Sequence, residues 1–236
     1  MPRLCSSLLL SLIIASSASA ISTVVPNANA SVEGNLNNVA PFRLFCCGMR
    51  YQQVFAASQF SGAMSIGQIA LRNDSQFGEP FTATMADIKI WLSTVSANPD
   101  ALSTTFDDNI GADNTQVYDG SLTLSSTNAA GPGNTRVFDV LINLQQSFYY
   151  DPSLGNLLLE IRNVPGVNAY FPLDAVFEHG DSVSRLLDPN GDPNAATGTP
   201  DTLGLVVRFD TVPEPSTGLL VIAGLLGLAG WRKARA

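Results

Sequence analysis

Residues 138–144 read F-D-V-L-I-N-L, and residues 156–162 read N-L-L-L-E-I-R. In the first run Phe138, Val140, Ile142 and Leu144 alternate through Asp139 and Asn143. In the second, Leu157, Leu159 and Ile161 alternate with Leu158, Glu160 and Arg162. A period of two places one set of side chains on a buried face and the other on the opposite face, which is the pattern of a half-buried strand. The same rhythm recurs outward in both directions. Val54 to Phe60 opens the series and Met64 to Leu71 follows; Ile88, Ile90 and Leu92 share a face, as do Leu122 and Leu124, and Leu203, Leu205, Val207 and Phe209. Turn-rich stretches separate the runs, among them Asn98-Pro99-Asp100, Gly131 to Asn134 and Asp188 to Pro200.

Eight or nine such strands and no convincing amphipathic helix predict an all-β body: a two-sheet antiparallel β-sandwich of jelly-roll type. One polar face per strand predicts that each sheet turns one side to solvent and the other to a shared core. Residues 21–40 (I-S-T-V-V-P-N-A-N-A…) lack the pattern and read as a loose leader. The expected organisation is a targeting segment over 1–20, the leader over 21–40, the sandwich over 41–211 and a separate tail over 212–236.

The first twenty residues have the three parts of a secretory signal peptide. Arg3 supplies the positive region, Leu8 to Ala15 a short apolar core, and Ala18-Ser19-Ala20 the small residues of a cleavage site. A second cleavage candidate, Ala28-Asn29-Ala30, lies ten residues on, so the mature chain begins at Ile21 or Ser31. The apolar core falls well short of the roughly 20 residues that span a bilayer. Cys5 precedes that core, so it is not the lipidated cysteine of a lipoprotein.

At the other end, Val212-Pro213-Glu214-Pro215 precedes an apolar run from Gly218 to Trp231, and Arg232, Lys233 and Arg235 follow. The two prolines keep the motif extended, and Ser216 can cap a helix that starts directly after it. A helix from Ser216 to Trp231 would be about 24 Å long against a hydrocarbon core of roughly 30 Å, so it spans with snorkelling by the basic residues. Those three cations form the membrane stop on the cytoplasmic side, which puts the body outside the inner membrane. These parts in this order resemble the PEP-CTERM sorting signal of exported proteins in Gram-negative and related bacteria. The resemblance implies that an exosortase, a membrane-embedded cysteine-dependent enzyme, recognises Val212 to Pro215 and cuts nearby. The stretches 49–60, 117–126 and 148–161 further resemble an exported β-sandwich domain found with such tails, which implies a fold and no chemistry.

Between Ile21 and Pro215 there are eight Lys/Arg against all twenty Asp/Glu, a net charge of −12. A surface this acidic repels nucleic acid and anionic lipid. After loss of the first twenty residues the cysteines are Cys46 and Cys47, adjacent in sequence. Neighbours make a strained bridge, so the pair is either two small buried residues or a link between molecules.

Catalytic candidates are few. His179, the single histidine, is set in Phe177-Glu178-His179-Gly180-Asp181 without a nucleophile elbow, and reads as a surface-turn residue. Glu160 and Glu178 are a conceivable acid pair for glycoside hydrolysis, although Glu160 alternates outward on its strand. Asp188, Asn190 and Asp192 offer oxygen ligands at every second position, as calcium loops do, but Pro193 and Thr199 stand where such a loop needs Gly and Glu. The segment 107–114 is a second acidic loop. Both loops read first as solvated turns.

The expectation is therefore a non-catalytic body with no cofactor beyond a conceivable calcium ion. Its partners are signal peptidase, an exosortase and the inner membrane, and its destination is the cell surface or an exopolysaccharide (biofilm) matrix, in a structural or adhesive role. The alternative is a carbohydrate-binding module using Trp91, Tyr149, Tyr150 and Tyr170, and more remotely a jelly-roll glycoside hydrolase.

Overall fold

Of the run at 138–144, residues 140–144 start a strand in which Val140 and Ile142 are buried while Leu141 and Asn143 are exposed, and Phe138 and Asp139 precede it. The computed structural model describes residues 21–42, 48–164 and 170–211, which fall in one unit, Ile21–Val212. Its strands are β1 (Ser22–Val25), β2 (Leu36–Asn38), β3 (Met49–Phe55), β4 (Met64–Leu71), β5 (Phe81–Val95), β6 (Thr115–Ser126) and β7 (Val140–Tyr150). There follow β8 (Asn156–Val164), β9 (Leu173–Phe177), β10 (Val183–Leu187), β11 (Thr199–Asp201), β12 (Leu203–Leu205) and β13 (Val207–Thr211). Helical structure among the described residues is confined to short 3-10 turns.

The strands make three antiparallel sheets rather than two: β1-β13-β4-β7, β11-β10-β3-β8-β5-β6, and a small β12-β9-β2 sheet. The third sheet exists because the run at 203–209 is not one strand. It breaks at Val206, whose N–H donates to the Asp174 carbonyl; β12 then pairs with β9 and β13 with β4. Alternation alone could not reveal the break, since every residue from Leu203 to Val207 is buried.

Four of the pairings nest one inside the next, and β4–β13 and β5–β8 join them side by side within the two larger sheets. β1 pairs with β13, β3 with β8, β4 with β7 and β5 with β6. The two larger sheets share one hydrophobic core. Phe55 on β3 meets Phe209 on β13 edge-on with ring centres 5.0 Å apart, and Phe60 meets Tyr150 at 4.8 Å. Such offset and edge-on contacts suit the ring quadrupole and tie sheet to sheet.

Three further expectations are corrected. Residues 21–40 are not a loose leader: they contain β1 and β2, and Val25 is wholly buried. Strands of four and three residues are too short to display a period, and their partners are far away in the chain. The strand expected over Val54–Phe60 ends at Phe55 and gives way to a 3-10 turn at Ala57–Gln59; it begins earlier, at Met49. Nor does each strand leave one face to solvent. Every residue of β3 from Arg50 to Phe55 is buried, because the chain from 96 to 114 folds back over the outer face of the six-stranded sheet. There Leu102 and Phe106 cover Val54, Leu158 and Leu186 in a second apolar cluster. The covering loop is zipped to the 188–198 loop by Phe106 N–H to Ala196 O and Gly198 N–H to Thr104 O.

Among the described residues no helix is long and apolar enough to cross a membrane. The expected signal peptide (1–20), Cys46 and Cys47, and the expected membrane helix (216–231) lie outside the described residues.

Phe209 packs on both Phe55 and Phe60 at the centre of the core. Phe209→Ala is expected to lower the unfolding free energy by about 3–5 kcal/mol, read as a lower urea midpoint with an unchanged slope.

Candidate functional site

β13 carries the described chain to its end between two neighbours, β1 on one side and β4 on the other. Its last residue is tied to the first described one: Ile21 N–H donates to Thr211 Oγ1 at 2.8 Å, and Thr211 N–H to Ile21 O at 2.9 Å. Ser22 Oγ donates to Asp210 Oδ1 at 2.6 Å, and Arg208 Nε to Asp210 Oδ2 at 2.9 Å. The chain thus enters and leaves the body at one place. The expected processing residues Val212, Pro213, Glu214 and Pro215, and the basic residues Arg232, Lys233 and Arg235, lie outside the described residues.

The family described as the PEP-CTERM protein-sorting motif matches residues 211–235. The chain carries a PEP-CTERM sorting signal. A PEP-CTERM signal implies export, a membrane-anchored stage before processing, and an exosortase as the processing partner. The match begins at Thr211, the last residue of β13, so body and PEP-CTERM segment adjoin directly in sequence. No curated protein matches the chain.

The body's chemistry-bearing side chains fall into separate groups. The first lies on the covered face of the six-stranded sheet. Strand register puts Arg50 opposite Arg162, Gln52 opposite Glu160, and Trp91 on the other side of Glu160. Glu160 therefore does not face solvent as alternation implied; it is 3% exposed. Its Oε1 accepts from Arg50 Nε at 3.1 Å and Arg162 Nε at 2.6 Å, and its Oε2 from Gln52 Nε2 at 2.6 Å. Arg50 also donates to Ala195 O and Asp107 Oδ1 and lies over the Phe106 ring. The hydrogen bond from Arg50 holds the Asp107 carboxyl below the usual carboxylate range. A buried carboxylate so fully bonded pins the covering loops to the sheet.

The second group lines a cavity of about 280 Å³ formed by Asp100, Leu102, His179, Ser184, Pro200, Asp201 and Thr202. The His179 side chain is 87% exposed, with Nε2 3.9 Å from Asp100 Oδ2. Ser184 Oγ accepts the Asp100 backbone N–H at 2.7 Å, and Asp201 is held by both Arg185 Nε and Nη2. Histidine, serine and aspartate thus meet here, but the serine oxygen is engaged by a backbone amide and not by the imidazole, as a nucleophile–base pair would need. Glu178 is exposed beside His179, and none of the partners of Glu160 lines this cavity.

In the 188–194 loop the carboxylates turn to the loop's own amides. Asp188 Oδ1 accepts from Asn190 N–H, Asp188 Oδ2 from Asp192 N–H at 2.6 Å, and Asp192 Oδ1 from Asn194 N–H. Gly191, at φ +86°, completes the turn. In the second acidic loop Asp113 Oδ1 accepts Thr94 N–H, and Asn109 Nδ2 donates to Gln52 Oε1. Among the described residues no three His, Cys, Asp or Glu side chains group as a metal site would. Of the four aromatics, Tyr149 and Tyr170 are exposed, Tyr150 is buried with its hydroxyl on Gly155 O, and Trp91 lies beneath the Arg162 guanidinium.

One cluster escaped sequence reasoning. Arg72, 1% exposed, bonds Asp174 Oδ2 through Nε at 2.8 Å and the Asn29 and Val32 carbonyls through Nη2. Glu33 stands beside it, its Oε1 accepting Ser75 N–H while Oε2 is buried without a partner. The members come from the residue that follows β4, from β9 and from the segment 26–35, so no local spacing could reveal them. Burial, aided by Asp174 and Asp74 and opposed by the Ser75 amide and Arg72, pushes the Glu33 carboxyl up to about 7.

Between the ordinary value of 4.5 and about 7, folded Glu33 keeps a proton that the unfolded chain releases, so the stability it contributes falls as pH rises through that window. Relative to wild type, Glu33→Gln is expected to gain stability progressively from pH 4.5 to above 7. Urea midpoints of both proteins across that range check this; a constant difference contradicts it.

Proposed function

We propose that this is an exported, exosortase-processed protein of the cell surface or exopolysaccharide matrix, with a structural or adhesive rather than catalytic role. On this reading an N-terminal signal peptide is removed by signal peptidase at one of the two candidate sites. The tail then anchors the body in the inner membrane until the exosortase acts at Val212 to Pro215. The observation that carries it is the PEP-CTERM match at 211–235, set directly behind a folded all-β body. Four nested antiparallel pairings, β1–β13, β3–β8, β4–β7 and β5–β6, support reading that body as a jelly roll with an added small sheet. The non-catalytic reading draws on the buried acids: Glu160 and Asp188 are committed to internal hydrogen bonds.

A second reading, carbohydrate binding, draws on the outward face of the four-stranded sheet. Tyr149, 68% exposed, shares that face with Leu141 and with the Gln68–Asn143 pair, whose amides bond at 2.6 Å. An exposed ring and side-chain amides on one face are suited to stacking on and hydrogen-bonding a sugar chain. Binding to a broad glycan panel that Tyr149→Ala abolishes would favour it, and no binding by the wild type would remove it.

The sorting claim has a direct test in intact-mass measurement of the protein from cells with and without the exosortase. Loss of the tail at the 212–215 region is expected only when the enzyme is present. A full-length tail in both strains contradicts exosortase processing.

A further inference from the structure

The sequence offers signal peptidase two sites, after Ala20 and after Ala30, and the fold separates them. We infer that the cut falls between Ala20 and Ile21, and that the segment it leaves, Ile21–Val25, is kept as the strand that latches β13 beside the sorting motif. The inference rests on the export reading above and adds to it the identity of the mature N-terminus.

The ten residues between the two candidate sites are built into the body. Ser22 to Val25 pair in register with Asp210 to Val207, and Val25 is fully buried in the main core. Asn27 then grips Gln59 twice, N–H to Oε1 at 2.8 Å and Nδ2 to the carbonyl at 3.0 Å. Asn29 is 9% exposed, and its carbonyl accepts from Arg72 Nη2 at 2.9 Å. A cut after Ala30 would discard all of this. It would leave β13 with one row of N–H and C=O groups unpaired, an open edge of the kind that invites association with other chains. It would also deprive the buried Arg72 of one of its acceptors, and an unmet buried donor carries its full desolvation cost.

A cut after Ala20 removes none of these contacts. Hydrolysis of the Ala20–Ile21 amide by water leaves a carboxylate on Ala20 and an ammonium on Ile21. The Ile21 nitrogen already donates to Thr211 Oγ1, and the ammonium keeps a proton for that bond. Ile21 is 48% exposed, so nothing is buried by the new charge. The positive charge arises one residue from Ser22, whose Oγ donates to the Asp210 carboxylate, and opposite charges attract. The first processing event therefore leaves intact the β1–β13 pairing beside which the second processing segment begins in sequence.

The test is top-down mass spectrometry, with N-terminal sequencing, of the full exported chain from a strain lacking the exosortase, so that the tail is constant. An N-terminus at Ile21 is expected. A start at Ser31, or at any other position past Ile21, overturns the inference while leaving export intact. A chain that still begins at Met1 overturns the export reading, and the inference with it.

Discussion

The pairing of β1 with β13 is the constraint on which the rest depends. It joins residues 22–25 to residues 207–210 and so closes almost the whole described body between its first and last strands. Closing so long a loop costs conformational entropy, although that cost grows only slowly with length. Burial of Val25, Val207 and Phe209 in the shared core offsets it. Because β13 lies between β1 and β4 in its sheet, the body cannot be complete until this final strand is available. The last residue of that strand, Thr211, is also the first residue of the sorting match. Completion of the fold and presentation of the sorting segment are thus consequences of the same stretch of chain.

A second constraint acts on the far sheet. β3 is buried on both faces, by the core on one side and by the folded-back 96–114 and 188–198 loops on the other. A sheet covered by loops must satisfy polar groups that would otherwise meet water. Arg50, Gln52, Glu160 and Asn109 answer that need with bonds to one another and to loop carbonyls. The carboxylate most suggestive of catalysis in this sheet is therefore explained by attachment of loops. The acidic residues of the 188–194 turn are likewise explained by turn closure.

Much of the fold was legible in the sequence because period-two alternation is a local signal. β5, β7 and β8 each show it over part of their length, and each is a strand around the expected residues. The signal fails where locality fails. β1 and β2 are too short to show a period, and their partners lie well over a hundred residues away. Val206 breaks a continuous apolar run for a reason found only in Asp174, the acceptor of its amide. Glu160 and Gln52 follow the alternation, yet the face they share is covered by loops whose docking no pattern encodes. The sorting motif is a linear signal, and for that reason it could be read directly. The Glu33–Arg72–Asp174 cluster is assembled from three distant segments and could not.

Closure by the first strand is tested most directly by native-state hydrogen exchange on the exported protein, comparing the amides of Val207–Thr211 with those of β3 and β8. If Ser22–Val25 is paired as described, the last strand exchanges as slowly as those central strands, despite lying beside the terminal segment. Exchange of Val207–Thr211 at the rate of the exposed 188–198 loop, with β3 and β8 still protected, would contradict the account.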